Sequence, residues 1–263
     1  MAKATKLIIG NWKMFPETIT EAQRIFTTFK RQKRIDAGVT TVFCPPFPFI
    51  APLKRTYTGT KIFFGAQDVF WQKEGAYTGE VSVGMLKSLG VRFVIVGHSE
   101  RRALGESDEA VSQKLRAALD GDMHTVLCIG EGTRDSHGTY LRVLREQITG
   151  SLRTVTGSML KKLIIAYEPV WAIGEGKQAM STHDIHQTML FIKKQLAEHY
   201  GQKAGFAVPI LYGGSVDETN AHAIVHESGV DGLLVGRKSL NPYEFSIIIN
   251  EVSRKPVKAK GRN

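Results

Sequence analysis

The chain has 263 residues, is 42% hydrophobic and carries a formal net charge of +10. That length and apolar content allow a sizeable core in one α/β barrel or two smaller domains. No apolar run approaches the ~20 residues of a membrane span, and the opening MAKATKLIIG lacks the apolar centre of a leader peptide.

The excess charge does not read as a nucleic-acid surface. Arg254, Lys255, Lys258, Lys260 and Arg262 lie in a C-terminal tail, and Arg24, Lys30, Arg31, Lys33 and Arg34 lie on or just past the first helical pattern. Neither group is interleaved with stacking aromatics, so no nucleic-acid partner is expected. Cys44 and Cys128 each end a strand pattern without metal-ligand spacing, which predicts reduced structural thiols of a cytoplasmic protein.

Taken in chain order, strand-length apolar runs occur at 6–12, 40–44, 61–66, 92–97, 124–129, 163–167, 208–212 and 231–235. Helical patterns fall between them near 17–31, 47–56, 82–89, 107–120, 138–154, 182–200 and 218–227, with a last near 243–252. Alternation of this kind calls for parallel pairing, and runs apolar on both faces call for helices covering the sheet. A closed (β/α)8 barrel is predicted, as a single domain over 1–253 with 254–263 a disordered basic tail. No glycine-rich fingerprint follows the first strand, which argues against an open dinucleotide-binding sheet.

Barrels of this kind place their chemistry on loops at the C-terminal strand ends. After the first strand come Asn11 and Lys13, two apart on extended chain and so on one face. After the fourth come His98, Ser99 and Glu100. Glu168 follows the sixth, and Gly213-Gly214-Ser215 and Gly236-Arg237 follow the seventh and eighth. The glycines let backbone N–H groups approach an anion, as barrels do for phosphate at the last two loops. Neither a nucleotide-binding loop nor a metal-ligating cluster is present, so no cofactor and no metal are expected.

Residues 163–179, LIIAYEPVWAIGEGKQA, join an acid at a strand end to a stiff Pro169-Val170-Trp171 and a glycine-bearing centre. This predicts a lid carrying its own base. A desolvated Glu168 is suited to removing a proton from carbon next to a carbonyl. His98, at the start of a helical turn, would be held neutral and donate to the resulting oxyanion, with Lys13 adding fixed positive charge.

The motifs Asn11-Trp12-Lys13-Met14, Gly97-His98-Ser99-Glu100-Arg101-Arg102, Cys128-Ile129-Gly130-Glu131, Ala166-Tyr167-Glu168-Pro169-Val170-Trp171-Ala172-Ile173-Gly174 and Tyr212-Gly213-Gly214-Ser215-Val216 closely resemble the triosephosphate isomerase family, in order, from about residue 6 to 252. The resemblance implies cofactor-free interconversion of dihydroxyacetone phosphate and glyceraldehyde 3-phosphate. It implies Glu168 as base, His98 as electrophile, Asn11 and Lys13 on substrate oxygens, and Glu100 as a supporting acid beside the lysine. It also implies a phosphate grip from backbone N–H groups at Gly174, Ser215, Gly236 and Arg237. A homodimer follows from it too, with Thr78 of the loop 67–80 reaching the neighbouring site. That loop's Phe70, Trp71 and Tyr77 independently call for a partner surface.

Four positions depart from the commonest family pattern: Asp68 after Gln67, Glu175 at the lid tip, Gln178 at the lid exit and Arg237 after Gly236. Asp68 is expected either to face Lys13 and weaken its pull or to need a donor at the dimer seam. Arg237 and Glu175 are expected to be able to pair across a closed lid. Two other readings stand beside the first: a sister isomerase of a four-carbon ketose phosphate, and a non-catalytic anion-binding barrel.

Overall fold

The structure, a computed structural model, describes residues 5–32, 38–174 and 176–254. Eight parallel strands close in sequential order: β1 Lys6–Asn11, β2 Val39–Cys44, β3 Ile62–Ala66, β4 Phe93–Val96, β5 His124–Ile129, β6 Leu163–Tyr167, β7 Ile210–Tyr212 and β8 Gly232–Val235. Each predicted strand is present, and β1 pairs with β8 through Leu7↔Gly232 to Gly10↔Val235. The predicted closed (β/α)8 barrel is the observed architecture.

Ten α-helices clothe the described barrel: α1 Ile19–Arg31, α2 Phe47–Arg55, α3 Val83–Ser88, α4 Ser99–Ala103, α5 Asp108–Asp120, α6 Thr139–Leu152, α7 Thr182–Tyr200, α8 Gln202–Ala207, α9 Ala221–Glu227 and α10 Pro242–Ser253. Several begin where a short polar side chain takes up an orphan N–H. Thr18 accepts from Glu21, Ser82 from Met85, Ser107 from Ala110, Ser181 from Asp184, and Asn241 from Tyr243 and Glu244. No helix among the described residues is long and apolar enough to cross a membrane.

Two cores result from the strands' period of two. The larger lies between sheet and helices, with Phe43 at its centre touching the rings of Phe26, Phe29 and Phe245 at 4.8–5.3 Å. The smaller fills the barrel: Ile9, Val42, Cys44, Phe93, Ile95, Val126, Cys128, Ile164, Ala166, Leu211 and Leu234. Its parity carries straight into the site. Ile9 is followed in step by Asn11 and Lys13, and Ile164 and Ala166 by Glu168.

One strand contact needs glycine outright. A Cβ on Gly232 would sit 1.8 Å from the carbonyl oxygen of Leu7, so closure between β8 and β1 excludes any side chain there.

Candidate active site

A cavity of ≈ 620 Å³ opens at the C-terminal ends of the strands. Asn11, Lys13, His98, Glu100, Glu168, Gly174, Ser215, Gly236 and Arg237 all line it, so every predicted site residue is brought to one place.

Glu168 leaves β6 buried at 2% exposure. Its N–H donates to Ile129 O at 2.8 Å, and Gly213 N–H donates to Tyr167 O at 2.8 Å, which ties the strand end to both neighbours. The approach is close on each side. A Cβ on Gly130 would lie 1.7 Å from Glu168 O, and one on Gly213 would lie 2.8 Å from Glu168 Cγ.

The carboxylate is held between two donors. Ser99 N–H donates to Oε2 at 3.3 Å, and His98 Nε2 lies 3.2 Å from Oε1. His98 is the N-cap of α4, and its Nδ1 accepts the N–H of Glu100 at 3.1 Å. A ring nitrogen that accepts carries no proton, so a neutral His98 bears its proton on Nε2, pointing at Glu168 and into the cavity. In this arrangement a neutral His98 presents an N–H donor to the cavity.

Lys13 has φ of +55°, the left-handed region that a non-glycine residue rarely takes. Both its backbone groups are pinned there. Its N–H donates to Asn11 Oδ1 at 3.0 Å, and its carbonyl accepts from Gln67 Nε2 at 2.8 Å. Its ammonium lies 2.6 Å from Glu100 Oε1. Strain of this sort, held by surrounding bonds at a cavity wall, is how a functional side chain is aimed.

The lid stem is fastened to the site by a second set of bonds. Tyr167 Oη and Trp171 Nε1 both donate to the buried Glu131, at 2.8 and 2.9 Å. Ala172 O accepts from Ser215 N–H at 3.2 Å and from its Oγ at 2.8 Å. At the far end, Met180 N–H donates to Tyr212 Oη at 3.1 Å. Between these anchors Gly174 and Gly176 take φ of +121° and +71°, open only to glycine at low cost. The Ser215 N–H, expected to grip phosphate, is therefore engaged with the lid in this conformation.

Three of the four departures from the family pattern are placed by the structure. Asp68 is buried, and its partners are Lys114 and Arg101 rather than Lys13. Arg237 begins the 3-10 turn Arg237–Leu240 and lines the cavity. Gln178 is exposed at the lid exit. Glu175, and with it the expected pairing to Arg237, lies outside the described residues, as do Lys33, Arg34 and the tail from Lys255 onward.

Sequence reasoning missed Lys177 and Lys238, which also line the cavity. Lys238 is held by Glu244 at 3.0 Å and Glu218 at 3.3 Å. Its place directly after Arg237 was the available signal. The bracing roles of Gln67, Glu131 and Tyr212 were missed as well, although each stands in or beside a motif.

A family model described as triosephosphate isomerase matches residues 6–252. A triosephosphate isomerase of Moorella thermoacetica is 42% identical over 246 residues, covering 93% of this chain and 97% of the relative. Those of Carboxydothermus hydrogenoformans and a Thermoanaerobacter species are each 40% identical, covering 92% and 93% of this chain and 96% and 98% of the relatives.

Proposed function

The chain belongs to the triosephosphate isomerase family, and on that premise we propose how its own residues perform the isomerisation. It is an aldose–ketose isomerase, interconverting dihydroxyacetone phosphate and D-glyceraldehyde 3-phosphate through an enediolate. Glu168 takes a proton from the carbon next to the carbonyl and returns it to the neighbouring carbon. His98 donates its Nε2 proton to the oxygen that gains charge, and Lys13 and Asn11 stabilise that charge and hold the substrate oxygens. Glu100 supports both, through its carboxylate on Lys13 and its N–H on His98.

The observation that carries this reading is the 3.2 Å contact of His98 Nε2 with Glu168 Oε1, made while Nδ1 is occupied as an acceptor. The same two side chains that must act in sequence on one substrate already face each other across the cavity floor.

Backbone N–H groups at Gly174, Ser215, Gly236 and Arg237 form the phosphate grip. Because Ser215 N–H donates to Ala172 O here, lid closure must break that bond before the amide can serve phosphate. Closure also excludes water, which keeps the enediolate from losing its phosphate.

The working unit is a homodimer of cytoplasmic barrels, one catalytic domain spanning 1–253. Exposed apolar side chains support the dimer: Met14 is 89% exposed, Phe15 51% and Met85 53%. In the loop 67–80 the ring of Phe70 meets those of Trp71 and Tyr77 in tilted contacts, with centroids at 4.0 and 4.8 Å, and none of the three is fully buried. Thr78 at its tip is exposed and available to a neighbouring site. Light scattering at assay concentrations tests the assembly.

The decisive experiment is a coupled assay on glyceraldehyde 3-phosphate and on four-carbon ketose phosphates with wild type and Glu168→Gln. Turnover of the triose is expected, reduced about 10²–10⁴-fold by Glu168→Gln with little change in affinity for a phosphate-bearing inhibitor. Near wild-type turnover by Glu168→Gln would remove it as the base.

A further inference from the structure

Helix α4 presents the electrophile, yet it has no hydrophobic anchor. It is five residues long and none of them is buried. A helix this short does not hold itself in water. It must nevertheless keep His98 at its N-cap, the Glu100 N–H on His98 Nδ1 and the Glu100 carboxylate on Lys13.

Two arginines tie it down. Arg102 fastens one side, donating from Nε to Gly97 O at 2.8 Å and pairing with Asp108 at 2.6 Å. Arg101 fastens the other, with Nε 2.8 Å from Asp68 Oδ2 and 3.2 Å from Glu106 Oε1.

The second anchorage is a buried cluster outside the catalytic cavity. Both oxygens of Asp68 lie 2.8 Å from Lys114 Nζ, and Lys114 also pairs with Glu106. The side chains of Asp68, Lys114 and Glu106 are each less than 10% exposed. Two carboxylates and one ammonium leave this buried group one negative charge in excess, which is costly in a poorly solvated site. The guanidinium of Arg101 completes the balance. With a neutral residue at 68, Lys114 and Glu106 would balance each other and Arg101 would not be required.

We propose that Asp68 is a positioning residue for the isomerisation, its charge recruiting Arg101 and thereby locking the turn that carries His98 and Glu100. Its neighbour Gln67 does the matching task for the other charge, holding Lys13 O and Cys44 O at 2.8 Å each. The end of β3 thus braces both sides of the oxyanion environment without touching substrate. The inference rests on the isomerase reading above for its kinetic consequences, but its structural part does not.

The test is a double-mutant cycle in the full chain: Asp68→Asn, Arg101→Gln and the pair. Asp68→Asn is expected to lower kcat about tenfold, a fraction of the hundredfold that a misplaced catalytic group can cost, with KM within about twofold. If Asp68 acts through Arg101, the double variant loses no more than the worse single variant, because the two losses share one cause. Arg101→Gln alone leaves the excess charge buried and should lower the melting temperature; the double variant restores neutrality and should regain the melting temperature but not kcat. The 15N resonances of the His98 ring should move in Asp68→Asn. That measurement needs no turnover, so it separates this proposal from the isomerase reading. Wild-type kcat together with unmoved His98 resonances, or losses that multiply in the double variant, would overturn it.

Discussion

His98 faces Glu168 with Nε2 while Nδ1 is committed to the N–H of Glu100, at 3.2 and 3.1 Å. The two contacts together decide which nitrogen of a neutral ring carries the proton. At neutral pH the 15N spectrum of His98 should therefore show a bare acceptor at Nδ1 and a protonated Nε2. His98→Gln keeps an amide donor but cannot exchange protons, and it should lower kcat about 10²–10⁴-fold. A spectrum with the proton on Nδ1 would refute the assignment.

Gly213 is a second pressure point on the base. An added Cβ would meet Glu168 Cγ at 2.8 Å, inside any tolerable contact, while Gly213 itself is half-buried at the cavity wall just past β7. Gly213→Ala should therefore displace the carboxylate and leave the barrel folded. The expected result is a kcat loss of up to about 10²-fold. The melting temperature should fall by no more than about 2–4 °C, the effect of ~1 kcal/mol in a chain this long. Circular dichroism melts beside kinetics would show whether the two effects separate.

The barrel was legible because its signal is local. Each strand is a short apolar run, and the period of two carries Ile9 to Lys13 and Ile164 to Glu168 without any knowledge of neighbours. The convergence of Lys13, His98 and Glu168 on one cavity was legible for the same reason, since each sits directly after such a run. What could not be read were side-chain pairings between distant segments. Asp68 finds Arg101 and Lys114 on α4 and α5, and Met180 finds Tyr212 across the lid exit. Neither pairing leaves a trace in periodicity. The engagement of Ser215 N–H with Ala172 O joins two loops far apart in the chain, so a motif alone could not have shown it.

Cys44 and Cys128 fill the barrel interior, and burial pushes both thiols well above the ordinary cysteine range, with Glu168 beside Cys128 raising it further. The thiolate is the reactive form, so raised pKa and lack of access act in the same direction. Neither cysteine should react with an aromatic disulfide reagent in the native protein at pH 8, and both should react at once in denaturant. Labelling of a single thiol without unfolding would show that the interior opens locally.

The Asp68 cluster also sets a pH dependence. Burial raises the Asp68 pKa, Lys114 and Arg101 pull it back down, and Glu106 pushes it up, with burial prevailing. A carboxyl whose folded-state pKa lies above its unfolded value binds its proton more tightly when folded. The stability this contributes is fully present below the unfolded value near pH ~4 and is lost as pH rises through the folded value. Asn at the same position does not titrate. Relative to wild type, Asp68→Asn should therefore gain in melting temperature as pH is raised from about 4 towards 7, even while its turnover falls. That opposition is what a positioning charge predicts and a merely structural one does not, since stability and kcat would then decline together. Melts at pH 4, 5.5 and 7 measure it, and a constant offset between the two proteins would show that Asp68 does not bind its proton more tightly in the folded state.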